Sequence, residues 1–192
     1  MSNSKKTLLM LACAVMLVLV SVMGTMAYLT STDTVTNTFT VGNVAITLDE
    51  TDVDNSTADA DRDKENAYNL LPGHKYTKDP IIHVAANSED CYLFVKVEDE
   101  IAAIEDAKTV ATQMRELGWT AVKGETNIFA YNSIISKSAS AQDVKVFNDF
   151  TIKGDVNNTT LAGYKGKTIK VTAYAVQADG FTSAEDAWDK AF

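Results

Sequence analysis

Two cysteines, two histidines and two prolines are all that a chain of 192 residues holds of these types, and each shortage removes a class of function. Cys13 lies in an N-terminal apolar run and Cys91 stands far from it, so the disulfide framework that staples many small secreted domains has no basis here. A zinc-protease helix needs two histidines one turn apart with a glutamate between them. His74 instead follows a Pro-Gly pair, His83 lies in a strand-like run, and no glutamate adjoins either. Both read as polar residues of a turn and a solvated strand face. Nor does any nucleophile elbow mark a Ser/His/Asp site, so the expectation is a protein that is not an enzyme. Pro72 and Pro80 fall at turns or strand edges and interrupt nothing. Positive charge is scarce as well, with 17 Lys+Arg against 26 Asp+Glu and a net charge of −9. Such a surface disfavours nucleic acid and anionic lipid as partners and favours solubility and cation binding.

What is present begins with an export signal. Lys5 and Lys6 form a short positive region, and Leu8 to Met23 is apolar except for Ser21. Thr25 and Ala27 occupy the two small-residue positions that a signal peptidase reads, which puts cleavage after Ala27 and the mature N-terminus at Tyr28. The competing reading is an uncleaved anchor, because the apolar stretch extended through Ala27 and Leu29 approaches the ~20 residues needed to span a bilayer. A lipoprotein signal at Cys13 is excluded, since the apolar run continues ten residues beyond it. The organisation is therefore a signal peptide over 1–27 and one domain over 28–192, with membrane contact only through the leader. Cleavage removes both leader lysines and no acid, leaving the mature chain more acidic still. It also leaves Cys91 alone. Flanked by Tyr92, Leu93, Phe94 and Val95, it reads as a small buried hydrophobe, and Glu89 and Asp90 oppose a reactive thiolate.

Residues 49–66 are rich in Asp, Asn, Ser and Thr and read as a long solvated acidic loop. Over 98–117, Ile101, Ile104, Ala107, Val110 or Ala111, Met114 and Leu117 recur at helical spacing until Gly118, giving a helical insertion whose stripe covers a core. Thr182-Ser-Ala-Glu185 reads as a capping box opening a second short helix. The remainder alternates with period two: Val44, Ile46 and Leu48; Cys91, Leu93, Val95 and Val97; Ile169, Val171, Ala173 and Ala175. Further strands are expected over 79–85, 119–122, 127–135 and 144–152, and Leu71-Pro72-Gly73 suits a type II turn. Trp119, Phe129 and Tyr131 read as core. The fold class is mainly β: an antiparallel β-sandwich with one or two short surface helices behind an N-terminal signal helix. Asp59, Asp61 and Asp63 resemble the start of a calcium loop, but Lys64 stands where its glycine belongs and Leu70 where its closing glutamate belongs. It is no EF-hand. Two readings remain, a weak surface calcium site formed with Asp52 and Asp54 and a solvated acidic loop without cofactor.

Gly24-Thr-Met-Ala-Tyr-Leu-Thr, then Asn37-Thr-Phe-Thr-Val-Gly42-Asn-Val-Ala-Ile, then Leu71-Pro-Gly-His-Lys-Tyr-Thr-Lys-Asp79 resemble, in their order and spacing, the TasA and camelysin (CalY) family of Gram-positive bacteria. Cys91-Tyr-Leu-Phe-Val-Lys-Val and Ile169 to Ala178 extend the resemblance over most of the mature chain. It implies a jelly-roll-like sandwich, secreted by the general route, cleaved by a signal peptidase of SipW type and assembled with itself into extracellular biofilm matrix fibres. It further implies that the new N-terminal segment, here Tyr28 to Val41, adds a strand to the next subunit. Phe39 and Val41 would anchor that strand, Tyr28, Leu29 and Val35 would extend it, and five threonines between Thr30 and Thr38 give it strand propensity. The same segment also suits the sandwich's own first strand. An adhesin held at the cell surface by an uncleaved leader is the alternative function. Some camelysin relatives carry a metalloprotease label, against which the missing zinc motif weighs. Residues 49–66 and 98–117 vary in such proteins. After Trp188 there is no Leu-Pro motif, apolar tail or basic stop, so no covalent wall anchoring through the C-terminus is expected.

Overall fold

The structure, a computed structural model, describes residues 3–28, 42–56 and 61–192. The chain divides after Thr40 into two compact units. In the first, α1 runs Asn3–Tyr28, with Leu8, Met10 and Leu11 exposed. Among the described residues no helix is long and apolar enough to cross a membrane.

The second unit holds β1 Ile46–Thr51, β2 Arg62–Asp63, β3 Lys75–Thr77, β4 Ile81–Val84 and β5 Cys91–Asp99. A 3-10 turn over Ala102–Ile104 leads to α2 Val110–Glu116, then β6 Trp119–Ala121, β7 Ile128–Tyr131, β8 Gln142–Lys145 and β9 Asp149–Thr151. Last come α3 Asn158–Ala162, β10 Ile169–Gln177 and α4 Ala184–Ala191. The fold is mainly antiparallel β with few short helices. One four-stranded sheet has the order β2-β1-β4-β8, the other β10-β5-β7-β6, and β3 pairs with β9.

Period-two alternation explains how the sheets meet. Ile82 and Val84 of β4 and Val144 of β8 share one buried cluster with Cys91, Leu93, Val95 and Val97 of β5. Ile104, Met114, Phe147 and Phe150 belong to the same cluster, and each such side chain contributes roughly 1.5–3 kcal/mol by leaving water. On the opposite face of β5, Tyr92 and Phe94 pack with Ala187 and Trp188 of α4. The Phe94 and Trp188 rings lie 5.1 Å apart. Burial on both faces accounts for the unbroken apolar run at 91–95. At the Leu71-Pro72-Gly73 turn, His74 N–H donates to Leu71 O at 3.2 Å and Gly73 has φ +71°, the left-handed value that its position requires.

Several expectations are corrected. Residues 98–117 are not one helix: β5 continues through Asp99, and Asp106 N–H donates to Thr151 O at 2.8 Å, drawing the chain onto β9 before Thr109 caps α2. Of the residues that helical spacing marked, Ile101, Ile104, Val110 and Met114 are buried, whereas Ala107 is exposed and Leu117 half-buried. α2 turns Val110, Gln113 and Met114 toward the core and leaves Arg115 and Glu116 exposed. Residues 144–152 form two strands in different sheets, β8 and β9. Over 127–135 the strand is short, and Ile135 instead forms an isolated bridge to Cys91. The acidic loop starts later than expected, because Asp49 to Thr51 complete β1 and β2 closes a hairpin on Glu50 and Thr51. Capping of α4 is shifted by one residue: Ser183 Oγ accepts from Asp186 N–H at 3.1 Å, and Asp186, not Glu185, accepts from Thr182 N–H.

Candidate strand-accepting edge and acidic cluster

Backbone phase determines what β10 offers to a partner. Among the described residues its nine residues pair with β5 on one side only, in continuous register from Ile169 opposite Asp99 to Gln177 opposite Cys91. Just beyond the two ends, Glu100 N–H donates to Thr168 O at 3.0 Å and Ala178 N–H to Asp90 O at 2.7 Å. Hydrogen-bonded pairs alternate in an antiparallel ladder, so the even-numbered residues of β10 face β5. Ile169, Val171, Ala173, Ala175 and Gln177 therefore turn their N–H and C=O groups outward, without a backbone partner among the described residues.

The first strand repeats this arrangement. Ala85 N–H donates to Ala45 O at 2.9 Å, so the odd-numbered residues of β1 bond to β4. Glu50 and Thr51 pair with β2, whereas Ile46 and Leu48 turn their backbone groups outward with no strand partner among the described residues. β1 lies against β10. Ile46, Leu48, Ile169, Val171, Ala173 and Ala175 pack on the main core while only half-buried. The result is an apolar seam bordered by two strand edges that are open among the described residues. Proteins usually blunt such edges with proline, bulges or inward charge; β10 has no proline, and Lys170, its one charged residue, is exposed and not among the core-packed residues.

The exposed face of the β1 sheet carries charge. Arg62 binds Asp49 at 2.5 Å and Asp79 at 3.2 Å, and His83 reaches Asp143 at 2.6 Å and Asp49 at 3.1 Å. Burial pulls the His83 imidazole down, and the two carboxylates outweigh it and hold the group above its ordinary value. Burial likewise raises Asp49, and Arg62 and His83 outweigh it, holding the carboxyl below its ordinary value. Lys78 pairs with the buried Glu50 at 2.6 Å. His74 rests on the Tyr76 ring, 4.7 Å between centroids.

The chain matches no family model, no curated protein and no solved structure.

Of the acidic residues singled out in sequence, Asp52, Asp54 and Asp63 come together, with one oxygen from each within 4.8 Å of the others. Asp61 is exposed outside that group, and Asp59 lies outside the described residues. Hard cations of calcium type take such oxygens. Here they serve the loop itself: Asp54 accepts from Ala67 N–H at 2.6 Å and Asp63 from Ser56 Oγ at 2.9 Å. Thr25, Ala27 and Tyr28, expected at the cleavage point, occupy the end of α1 in the full chain. Leu29, Val35, Phe39 and Val41 lie outside the described residues. Trp119 is buried, its indole N–H donating to Lys145 O at 3.0 Å, which withdraws it from any sugar-binding platform. Sequence reasoning missed the seam, because alternation was visible in both strands but their neighbours were not.

Proposed function

We propose that this chain is an exported structural subunit that polymerises outside the cell, each copy donating the segment after its leader to the sandwich of the next. The observation that carries this reading is the outward edge of β10, which has no strand partner among the described residues, beside the half-buried seam it shares with β1. A strand added there satisfies the outward N–H and C=O groups at a net gain of roughly 0.5–1.5 kcal/mol per hydrogen bond. Its alternate side chains cover the seam, and Phe39 and Val41 supply about 1.5–3 kcal/mol each. The resemblance to TasA and camelysin proteins supports the same assembly, a jelly-roll type of sandwich and cleavage by a SipW-type peptidase. The leader supports export, and the resemblance supports the extracellular matrix as its destination.

Electron microscopy of the protein lacking residues 1–27 tests the proposal, with unbranched fibres expected. Removal of residues 1–41 should leave a folded chain that forms none, and a peptide of residues 28–41 should cap fibre growth. Phe39→Asp in the peptide should abolish capping, because a charge is not desolvated in an apolar seam without a partner. An unfolded truncated chain would instead assign residues 28–41 to the subunit's own sandwich, and fibres from that chain would remove the donated strand altogether.

A further inference from the structure

Glu105 links the 3-10 turn to α2, and its backbone bridges to Ile152 just after β9. Its side chain is almost fully enclosed, the residue being 2% exposed. Oε2 accepts from Val110 N–H at 3.0 Å in the first turn of α2. Oε1 is buried with no hydrogen-bond partner, the one such side-chain nitrogen or oxygen among the described residues. A protonated carboxyl tolerates this enclosure far better than a carboxylate.

The charged groups on the surrounding elements do not neutralise it. Asp99, at the end of β5, acts on Glu105 with charge of the same sign. After β9, Lys153 directs its ammonium to Ala103 O at 2.8 Å. In β9, Asp149 is paired with Lys75 at 2.8 Å. On the α2 side, Lys108 and Glu116 pair with each other at 2.7 Å, and Arg115 is exposed.

The geometry points to a pH-operated latch: with Glu105 protonated, residues 105–116 are seated on β9 and the core, and ionisation of Glu105 releases them. Release would uncover Val110 and Met114, both buried in the seated state. Burial, and after it the Asp99 charge, push the carboxyl up to about 7. The folded value thus lies above the ordinary 4.5, so the seating is strongest below 4.5, weakens as pH rises and is lost once pH passes about 7. This device is independent of strand donation.

Hydrogen exchange on the full chain, corrected for the intrinsic pH dependence of exchange, tests it. Protection of the amides of residues 106–116 should fall roughly tenfold per pH unit between about 4.5 and 7 and then level, staying below that of Leu93 to Val97 in β5 throughout. Glu105→Gln should make residues 106–116 insensitive to pH. Asp99→Asn, which keeps the carboxyl and serves even if the first variant folds poorly, should move the levelling point to lower pH. A flat wild-type profile, a pH dependence that survives in Glu105→Gln, or a levelling point unmoved by Asp99→Asn would each overturn the latch.

Discussion

The side chain of Gln113 bonds to the backbone where β8 gives way to β9: its Nε2 donates to Asp149 O at 2.8 Å, and its Oε1 accepts from Asn148 N–H at 3.1 Å. An amide side chain thereby replaces a strand neighbour at the point where the chain changes sheet. Gln113→Ala would leave both backbone groups unsatisfied next to the core, at a cost of roughly 2–4 kcal/mol. Urea unfolding of the variant checks this, and Gln113→Glu, which keeps only the acceptor, should also be destabilised.

Lys78 and Glu50 should reveal their coupling when separated. Glu50 is buried and Lys78 nearly so, with side-chain exposures of 6% and 11%, so Lys78→Met leaves a buried carboxylate with only the Asn66 amide as its side-chain donor and should cost about 3–5 kcal/mol. Much of that loss should return in the double variant carrying Glu50→Leu as well. Thermal unfolding of the two singles and the double completes the cycle.

Cys91 should be chemically silent. Burial, with a smaller contribution from Asp90, pushes its thiol up to about 11, and the side chain is fully enclosed. Maleimide at neutral pH should label Cys13 in the full chain and reach Cys91 only after unfolding. Reductant should leave the Tm unchanged. Cys91→Ser should cost roughly 1–3 kcal/mol by burying a hydroxyl among apolar neighbours.

His83 should titrate above its ordinary 6.5, since Asp49 and Asp143 outweigh the effect of burial. Its contribution to stability is complete below 6.5 and disappears as pH rises through the raised value. Proton NMR of the imidazole checks the midpoint, which Asp49→Asn should lower. His83→Gln should remove this part of the pH dependence and leave exchange at residues 106–116 as it was.

Sequence pattern carried the β architecture because most strands have one face toward the core. Val44, Ile46 and Leu48, and likewise Ile169 to Ala175, alternated visibly and lie where that alternation puts them. Helical spacing over 98–117 found buried residues but the wrong backbone, because Asp106 exchanges helix hydrogen bonds for one to β9, a partner far away in sequence. The break at 146–148 was invisible for a similar reason, since it depends on Gln113. In the acidic stretch, composition found the aspartates without their partners. Arg62, set between Asp61 and Asp63, ties β2 to Asp49 and Asp79. Whether an edge is open is a property of neighbours, so no single strand pattern could disclose the β1–β10 seam.

The most direct test of strand donation is hydrogen exchange at Val171, Ala173 and Ala175 in the chain lacking residues 1–41, with and without the peptide of residues 28–41. The account predicts a folded chain whose outward amides at these three positions exchange freely and slow markedly when the peptide binds. Exchange unchanged by saturating peptide, or slowing confined to Ile46 and Leu48, would contradict β10 as the accepting edge.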